Sequence, residues 1–310
     1  MNVAMSYLGV VLIWSTTPLA MKWSTEEVGF LFGVTSRMGI GAAVAILLCV
    51  LLKKPLPTHA PALKTYLVTG LGAYFAMSCA YWSAQYIPSG WISVIFGISP
   101  LLTSLIAAVV LGEKSVSVLK TSALLLSLAG LYVMFQQGLG MGTETVYGIA
   151  AAMAGALFHA IGIVAVKQIN ADIEPVSTMT GTLLVAIVLY SVTWMVGDFE
   201  TPVVIPTRTA ASILYLGLIG SVLGFMLFFY VLKHVEATRA ALITLITPVS
   251  ALLLGNLLNN EPLTRDIILG TGLVIAGLLI FQYGHGLRTY SLRRLLLNTR
   301  VRPGTLSNID

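Results

Sequence analysis

The sequence predicts an all-α polytopic membrane protein: ten transmembrane helices arranged as two inverted five-helix repeats. Three observations predict it. First, 57% of the residues are hydrophobic and only 9% are charged, against roughly 25% charge in soluble domains. A soluble core cannot absorb that much apolar sequence, so the bilayer has to be the solvent. Second, the apolar runs have the length of about 20 residues that crosses a hydrocarbon core of roughly 30 Å. Third, Pro100 in one apolar run is followed thirteen residues later by Glu113, and Pro248 in another is followed thirteen residues later by Glu261. Both stretches lead into an apolar segment with an Ala-Gly pair, Ala129-Gly130 and Ala276-Gly277. An internal repeat of this kind sets the architecture before any single residue is weighed.

In chain order, the first repeat (4–135) is expected to hold spans at 4–21, 28–52, 66–86, 90–111 and 117–135. The second (146–283) is expected to hold spans at 146–166, 176–196, 209–231, 238–258 and 267–283. Breakers separate them: Lys53-Lys54-Pro55, Pro88-Ser89-Gly90, Pro202 to Pro206, and Glu261-Pro262. The link at 136–145 joins the halves and is too short for a domain of its own. The first span follows Met1 with no basic region and no small-residue cleavage site after it, so it reads as a retained helix. Cys49 and Cys79 fall inside apolar helices and read as small buried hydrophobes.

Basic residues set the orientation. With the N-terminus in the cytoplasm, thirteen Lys and Arg fall in cytoplasmic loops and the tail, three (Lys22, Arg208, Arg265) fall on the other side, and Arg37 lies within a span. Both termini are therefore expected in the cytoplasm, with 284–310 a basic cytoplasmic tail that either lies on anionic lipid or is disordered. The expected setting is a bacterial inner (plasma) membrane. Five spans per repeat is an odd number, so the halves insert in opposite directions, a recurring plan of secondary transporters. The net charge of +5 does not imply nucleic acid, because no basic domain exists to bind it. The expected partners are membrane lipid and a small-molecule substrate.

The five-helix order, Trp14-Ser15 in the first helix, Arg37 in the second, and the paired Pro100…Gly112-Glu113 and Pro248…Glu261 patterns resemble the EamA-type transporters of the drug/metabolite transporter superfamily. The resemblance covers about residues 4–283. It implies a ten-helix inverted-repeat carrier with a central cavity, often exporting amino acids or other small metabolites. One departure stands out: Asn260 precedes Glu261 where Gly112 precedes Glu113, which questions the tightness of the second corner.

Several residues are candidates for a solute path. Pro18, Pro100 and Pro248 sit inside apolar spans, and each frees the carbonyl four residues back. They are either gating kinks or static ones. Arg37 is costly at mid-membrane and must face protein or water. It is either an anchor for a substrate carboxylate or for a gate, or it snorkels to the outer interface or pins another helix. His159 takes the place of Trp14 in the repeat alignment. It is suited either to proton exchange or to lining a cavity in neutral form. Tyr74, Ser78, Tyr81 and Gln85 form one helical face, and Ser93 and Gly97 lie at helical spacing with Pro100. In the second half Phe229 and Tyr230 match Tyr81 and Trp82, and Thr244 lies beside Pro248. Together they predict an aromatic cavity with hydroxyls and few charges, suited to amphipathic or zwitterionic solutes. The alternative is ordinary interhelical hydrogen bonding. Glu113 and Glu261 read as corner residues that cap or pair locally. Gly220-x-x-x-Gly224 permits close helix approach, within the bundle or in a dimer.

The function expected is a secondary transporter of small metabolites, amino-acid-like or amphipathic, by alternating access and in the export direction. A passive channel of the same fold is the alternative. No cofactor or metal is implied. No Walker loop, His-Glu-x-x-His helix, paired mid-span aspartates or nucleophile–base set is present, so neither ATP drive nor an intramembrane enzyme is expected.

Overall fold

The computed structural model describes residues 2–112, 118–136, 142–197, 201–236, 239–240 and 243–299, with side chains excepted at 244, 245 and from 283 onward. Among the described residues every regular element is helical. The helices are α1 (Val3–Trp23), α2 (Phe30–Leu51), α3 (Ala60–Ser83), α4 (Ser89–Phe96), α5 (Ser99–Val110), α6 (Val118–Phe135), α7 (Thr143–Ile169), α8 (Pro175–Val196) and α9 (Thr207–Tyr215). A π-helical segment (Leu216–Leu223) follows, then α10 (Gly224–His234), α11 (Ile243–Asn259) and α12 (Arg265–Thr299). Eight helical runs are long and apolar enough to cross a membrane, which makes this an integral, polytopic helical membrane protein. α3 falls short of that test because Thr65, Thr69, Tyr74, Ser78 and Tyr81 lower its hydropathy, and α11 because it has only 17 residues. The outward side chains are apolar: Leu12 is 69% exposed, Val109 85% and Leu257 74%. Only lipid suits such a surface.

Local chemistry explains where expected and observed elements differ. α3 begins at Ala60, earlier than expected, because Pro61 fits the first turn and His59 Nδ1 accepts the Ala62 N–H at 3.3 Å. The span expected at 90–111 is broken at Gly97–Ile98 into α4 and α5. Pro100 therefore stands in the first turn of α5, where its missing N–H costs nothing, and not inside a continuous helix. Pro18 and Pro248 do lie inside helices. The span expected at 209–231 carries the π-helical segment in its middle. α12 runs past the expected end at 283 and stays helical through Thr299, into the basic tail.

The loops gather at two ends. The terminal end carries Asn2 and the connections 52–59 and 170–174; the far end carries 24–29, 84–88, 202–206 and 260–264. Helix packing is reciprocal between the chain's halves. α1 lies on the run α9 to α10 as α3 lies on α7, and α1 packs on α11 as α5 packs on α7; α2 faces α8, α4 faces α11, and α6 faces α12. The repeated Ala-Gly pairs explain the last contact. A Cβ on Gly130 would lie 2.6 Å from the Gly270 carbonyl, and one on Gly277 would lie 2.6 Å from the Ala123 carbonyl. Only glycine lets these backbones meet. At the corners, Gly112 (φ 65°) and Asn260 (φ 51°) both adopt the left-handed conformation. Asparagine is among the few side chains that tolerate it, so the second corner has the same backbone turn as the first.

Candidate functional site

A cavity of about 1030 Å³, open mouth included, lies between the helices that the two halves contribute. α1 supplies Trp14 and Pro18, α2 Arg37, α4 Ser93 and Phe96, α7 Phe158 and His159, α8 Thr182, α10 Phe228 and Phe229, and α11 Thr247. The aromatic rings form one connected wall. Trp14 stands edge-on to His159 with centroids 5.6 Å apart and tilts against Phe228 at 4.9 Å. His159 also meets Phe96 at 6.1 Å and Phe228 at 5.8 Å. Trp14 and His159 are the matching residues of the two halves in sequence, and here they face each other. Their contact joins the two halves of the chain at the cavity.

Arg37 is the charged residue of this wall. Only 1% of it is exposed. Its Nε donates to Ser221 Oγ at 2.9 Å. Its Nη1 makes longer contacts to Tyr81 Oη at 3.5 Å and Met77 Sδ at 3.8 Å. Among the described residues it has no carboxylate partner and no bond at Nη2. The π-helical segment shapes this contact. A Cβ on Gly220 would lie 3.4 Å from Arg37 Nη2, and one on Gly224, four residues on, would lie 3.5 Å from Trp14 Nε1. The Gly220-x-x-x-Gly224 face thus receives α1 and α2 within the chain. Extra residues inserted into a helix as a π-bulge often accompany functional sites, and here the segment sets Ser221 against the guanidinium.

Two further polar groups of the wall make no hydrogen bond with a described residue. His159 Nε2 is buried with no hydrogen bond among the described residues. The Trp14 indole N–H makes no hydrogen bond with a described residue. Ahead of Pro18, Ser15 Oγ donates to the Val11 carbonyl at 2.7 Å, and Thr16 and Thr17 both donate to the Ile13 carbonyl at 2.8 Å. The carbonyl that proline itself frees, that of Trp14, is one residue further on.

Of the residues singled out by sequence, Trp14, Pro18, Arg37, Ser93, His159 and Phe229 line the cavity. Tyr74, Ser78, Tyr81, Gln85, Gly97, Tyr230, Pro100 and Pro248 do not. Tyr74 bonds Thr193 Oγ1 at 2.6 Å, and Ser78 meets Tyr190 Oη at 3.1 Å, both across the α3–α8 contact. Tyr81 is fully buried behind Arg37. Gln85 is exposed and donates to the Trp82 carbonyl at 3.3 Å. Gly97 forms the break after α4, its N–H shared between the Ser93 and Val94 carbonyls at 3.0 Å each. Tyr230 packs its ring on His234 at 4.3 Å. The side chain of Thr244 and all of Glu113 lie outside the described residues. Sequence reasoning missed the cavity face of α3, formed by Thr69, Gly72, Ala73, Ala76 and Ala80. It also missed Phe228, whose neighbour Phe229 was singled out. The signal available for α3 was a helical stripe of small residues, which reads equally well as packing.

Glu261 is a cap, but not a local one. It is 7% exposed and reaches across to the other half. Its carboxylate accepts the Ser89 N–H at 3.0 Å, the Ser89 hydroxyl at 2.9 Å and the Gly90 N–H at 3.2 Å. Asn259 Nδ2 donates a further bond at 3.1 Å. These N–H groups begin α4, where the helix dipole favours an anion. Around it, Trp23 Nε1 donates to Asn259 Oδ1 at 3.0 Å, Lys22 Nζ donates to the Ile87 carbonyl at 3.3 Å, and Arg208 pairs with Glu26.

Comparison with known proteins now identifies the architecture. The model of the EamA-like transporter family matches residues 2–136 and again residues 146–283. The chain is 27% identical over 299 residues to the uncharacterized transporter YoaV of Bacillus subtilis (strain 168), covering 95% of this chain and 99% of that one. It is 25% identical over 277 residues to a probable terminal-alkyne amino-acid exporter of Streptantibioticus cattleyicolor, covering 88% and 90%. A solved crystal structure superposes with a TM-score of 0.67 at 21% identity, over 90% of this chain and 97% of that one; it speaks for the fold alone. The chain belongs to the EamA-like transporter family.

Proposed function

We propose that this transporter is a secondary carrier that exports small metabolites, amino-acid-like or amphipathic solutes, by alternating access through the cavity between two inverted halves. One observation carries the reading: the matching residues Trp14 and His159 meet across the cavity. A binding site on the pseudo-two-fold is what two halves of opposite insertion need, because exchanging their conformations then exposes one site to either face in turn. The aromatic wall with few polar groups suits an amphipathic solute. The similarity to a probable amino-acid exporter supports a solute of amino-acid-like size. In this reading the protein is not an enzyme and sits in a bacterial inner membrane with both termini cytoplasmic, as the distribution of basic residues supports. The far end then faces outward, and the Glu261 network is the closed gate.

Solute counterflow in liposomes reconstituted with the purified chain tests this, with and without a proton gradient. A carrier exchanges labelled solute against a preloaded pool and saturates. Unsaturable flux without exchange would identify a passive channel and reject alternating access. His159→Ala is expected to impair exchange while the protein stays folded.

A further inference from the structure

We infer that the solute is an organic monoanion, one carboxylate on an apolar or aromatic body without a free ammonium group, and that Arg37 receives the carboxylate. The inference rests on the carrier reading and narrows its solute, keeping the amphipathic acids and excluding amino-acid zwitterions.

Charge is the first argument. Arg37 is 1% exposed, and among the described residues no Asp or Glu lines the cavity or pairs with it. A buried charge without a partner is costly, and a counter-ion held by hydrogen bonds removes that cost. A monoanion brings the wall to neutrality. A zwitterion also answers Arg37 but introduces an ammonium that no wall carboxylate meets, and a cation adds to the charge already unpaired.

Geometry is the second. Ser221 occupies Nε of the guanidinium and Nη1 has only the long contacts to Tyr81 and Met77, so Nη2, beside Gly220 and without a bond among the described residues, is the donor left for the ligand. A carboxylate there can bind Nη2 with one oxygen and take the long Tyr81 contact's place on Nη1 with the other, the two-oxygen geometry that guanidinium favours. The Trp14 indole N–H likewise makes no bond with a described residue, and it can only donate. Free donors on a wall without acids call for an acceptor-only group. The charge is also single. At the position of α8 that matches Arg37 in α2, two helices of equal length, stands Thr182. Its hydroxyl is already engaged with Thr69 Oγ1 at 2.6 Å and the Thr178 carbonyl at 2.7 Å. One cation on one side of the pseudo-two-fold fits one carboxylate, and the rings around Trp14 and His159 fit the remainder of the molecule.

The test uses four probes of one scaffold, titrated against the purified full chain in nanodiscs: phenylacetate, phenylacetamide, phenylalanine and phenethylamine. Phenylacetate is expected to bind at least about tenfold more tightly than the other three, the factor that one charge-assisted pair supplies. Arg37→Gln should bring phenylacetate down to the level of phenylacetamide. Trp14→Phe keeps a ring, removes the donor and should weaken phenylacetate by about threefold. If either variant fails to fold, the order of the four probes on the unaltered chain still decides. Equal binding of all four, preference for phenylalanine or phenethylamine, or no binding overturns the anion site. Counterflow in liposomes separates the two readings. Phenylacetate bound but not exchanged rejects the carrier and keeps the anion site, whereas preferred exchange of phenylalanine rejects the anion site and keeps the carrier.

Discussion

The two ends of the bundle are held by different physics. At the far end, Glu261 is almost wholly buried and its carboxylate takes four hydrogen bonds, three from the start of α4 in the other half. At the terminal end, Lys54 pairs with Glu174 at 3.4 Å and Lys233 with Asp172 at 2.7 Å, all four side chains being substantially exposed. Buried hydrogen-bonded charge is strong and expensive to break, and exposed ion pairs contribute little. Among the described residues, then, the far end is tied by a buried network and the terminal end by exposed pairs.

The largest effect should come from Glu261→Ala. It strands the Ser89 and Gly90 N–H groups in a dry corner and should cost about 3 kcal/mol, read as a lowered melting temperature in detergent. With a cysteine placed on the wall by Ser93→Cys, a membrane-impermeant maleimide should then reach the cavity from the far face, where the parent blocks it. Unchanged labelling would remove the far end's special status. Gly130→Ala sharpens the point from outside both ends. Its Cβ meets the Gly270 carbonyl, so overpacking should cost roughly 1–3 kcal/mol while labelling stays one-sided. Trp23→Phe removes the bond to Asn259 while keeping a ring beneath Arg208, and should cost about 1 kcal/mol. Lys54→Ala should stay within about 0.5 kcal/mol and vanish in high salt; a larger loss would make the ends alike. Smallest of all is the response of Asp172 to pH. The hydrogen bond and charge of Lys233 hold its carboxyl below the ordinary value. A group with a depressed folded pKa stabilises above its unfolded pKa and loses that contribution as pH falls through the folded one. Melting curves of Asp172→Asn and the parent should therefore differ slightly at neutral pH and converge in acid.

Much of the fold was legible because the bilayer leaves few solutions. Apolar length gives helices, and the repeat of Pro100…Glu113 in Pro248…Glu261 announces that the chain's two halves are built alike. Asn260 filling the turn of Gly112 follows from backbone sterics alone. The site was legible in part. Arg37 and His159 stood out because polar groups inside a membrane demand a reason. α3 misled for an instructive reason: Tyr74, Ser78 and Tyr81 do share one helical face, but they meet α8 and Arg37, while Thr69, Gly72, Ala73, Ala76 and Ala80 border the cavity. Empty space is made by small side chains, and small side chains carry no chemical signal.

The sequence by itself determined that this protein lives in a membrane as two related helical halves with an arginine inside a span, since hydropathy, helix length and repetition are properties of the chain read along its length. Only the tertiary structure decided which face of each helix turns to the cavity, that Trp14 meets His159, and that Glu261 caps a helix 172 residues away. Helix rotation and distant pairing follow from how side chains on different segments fill the space between them, and no segment carries that information alone.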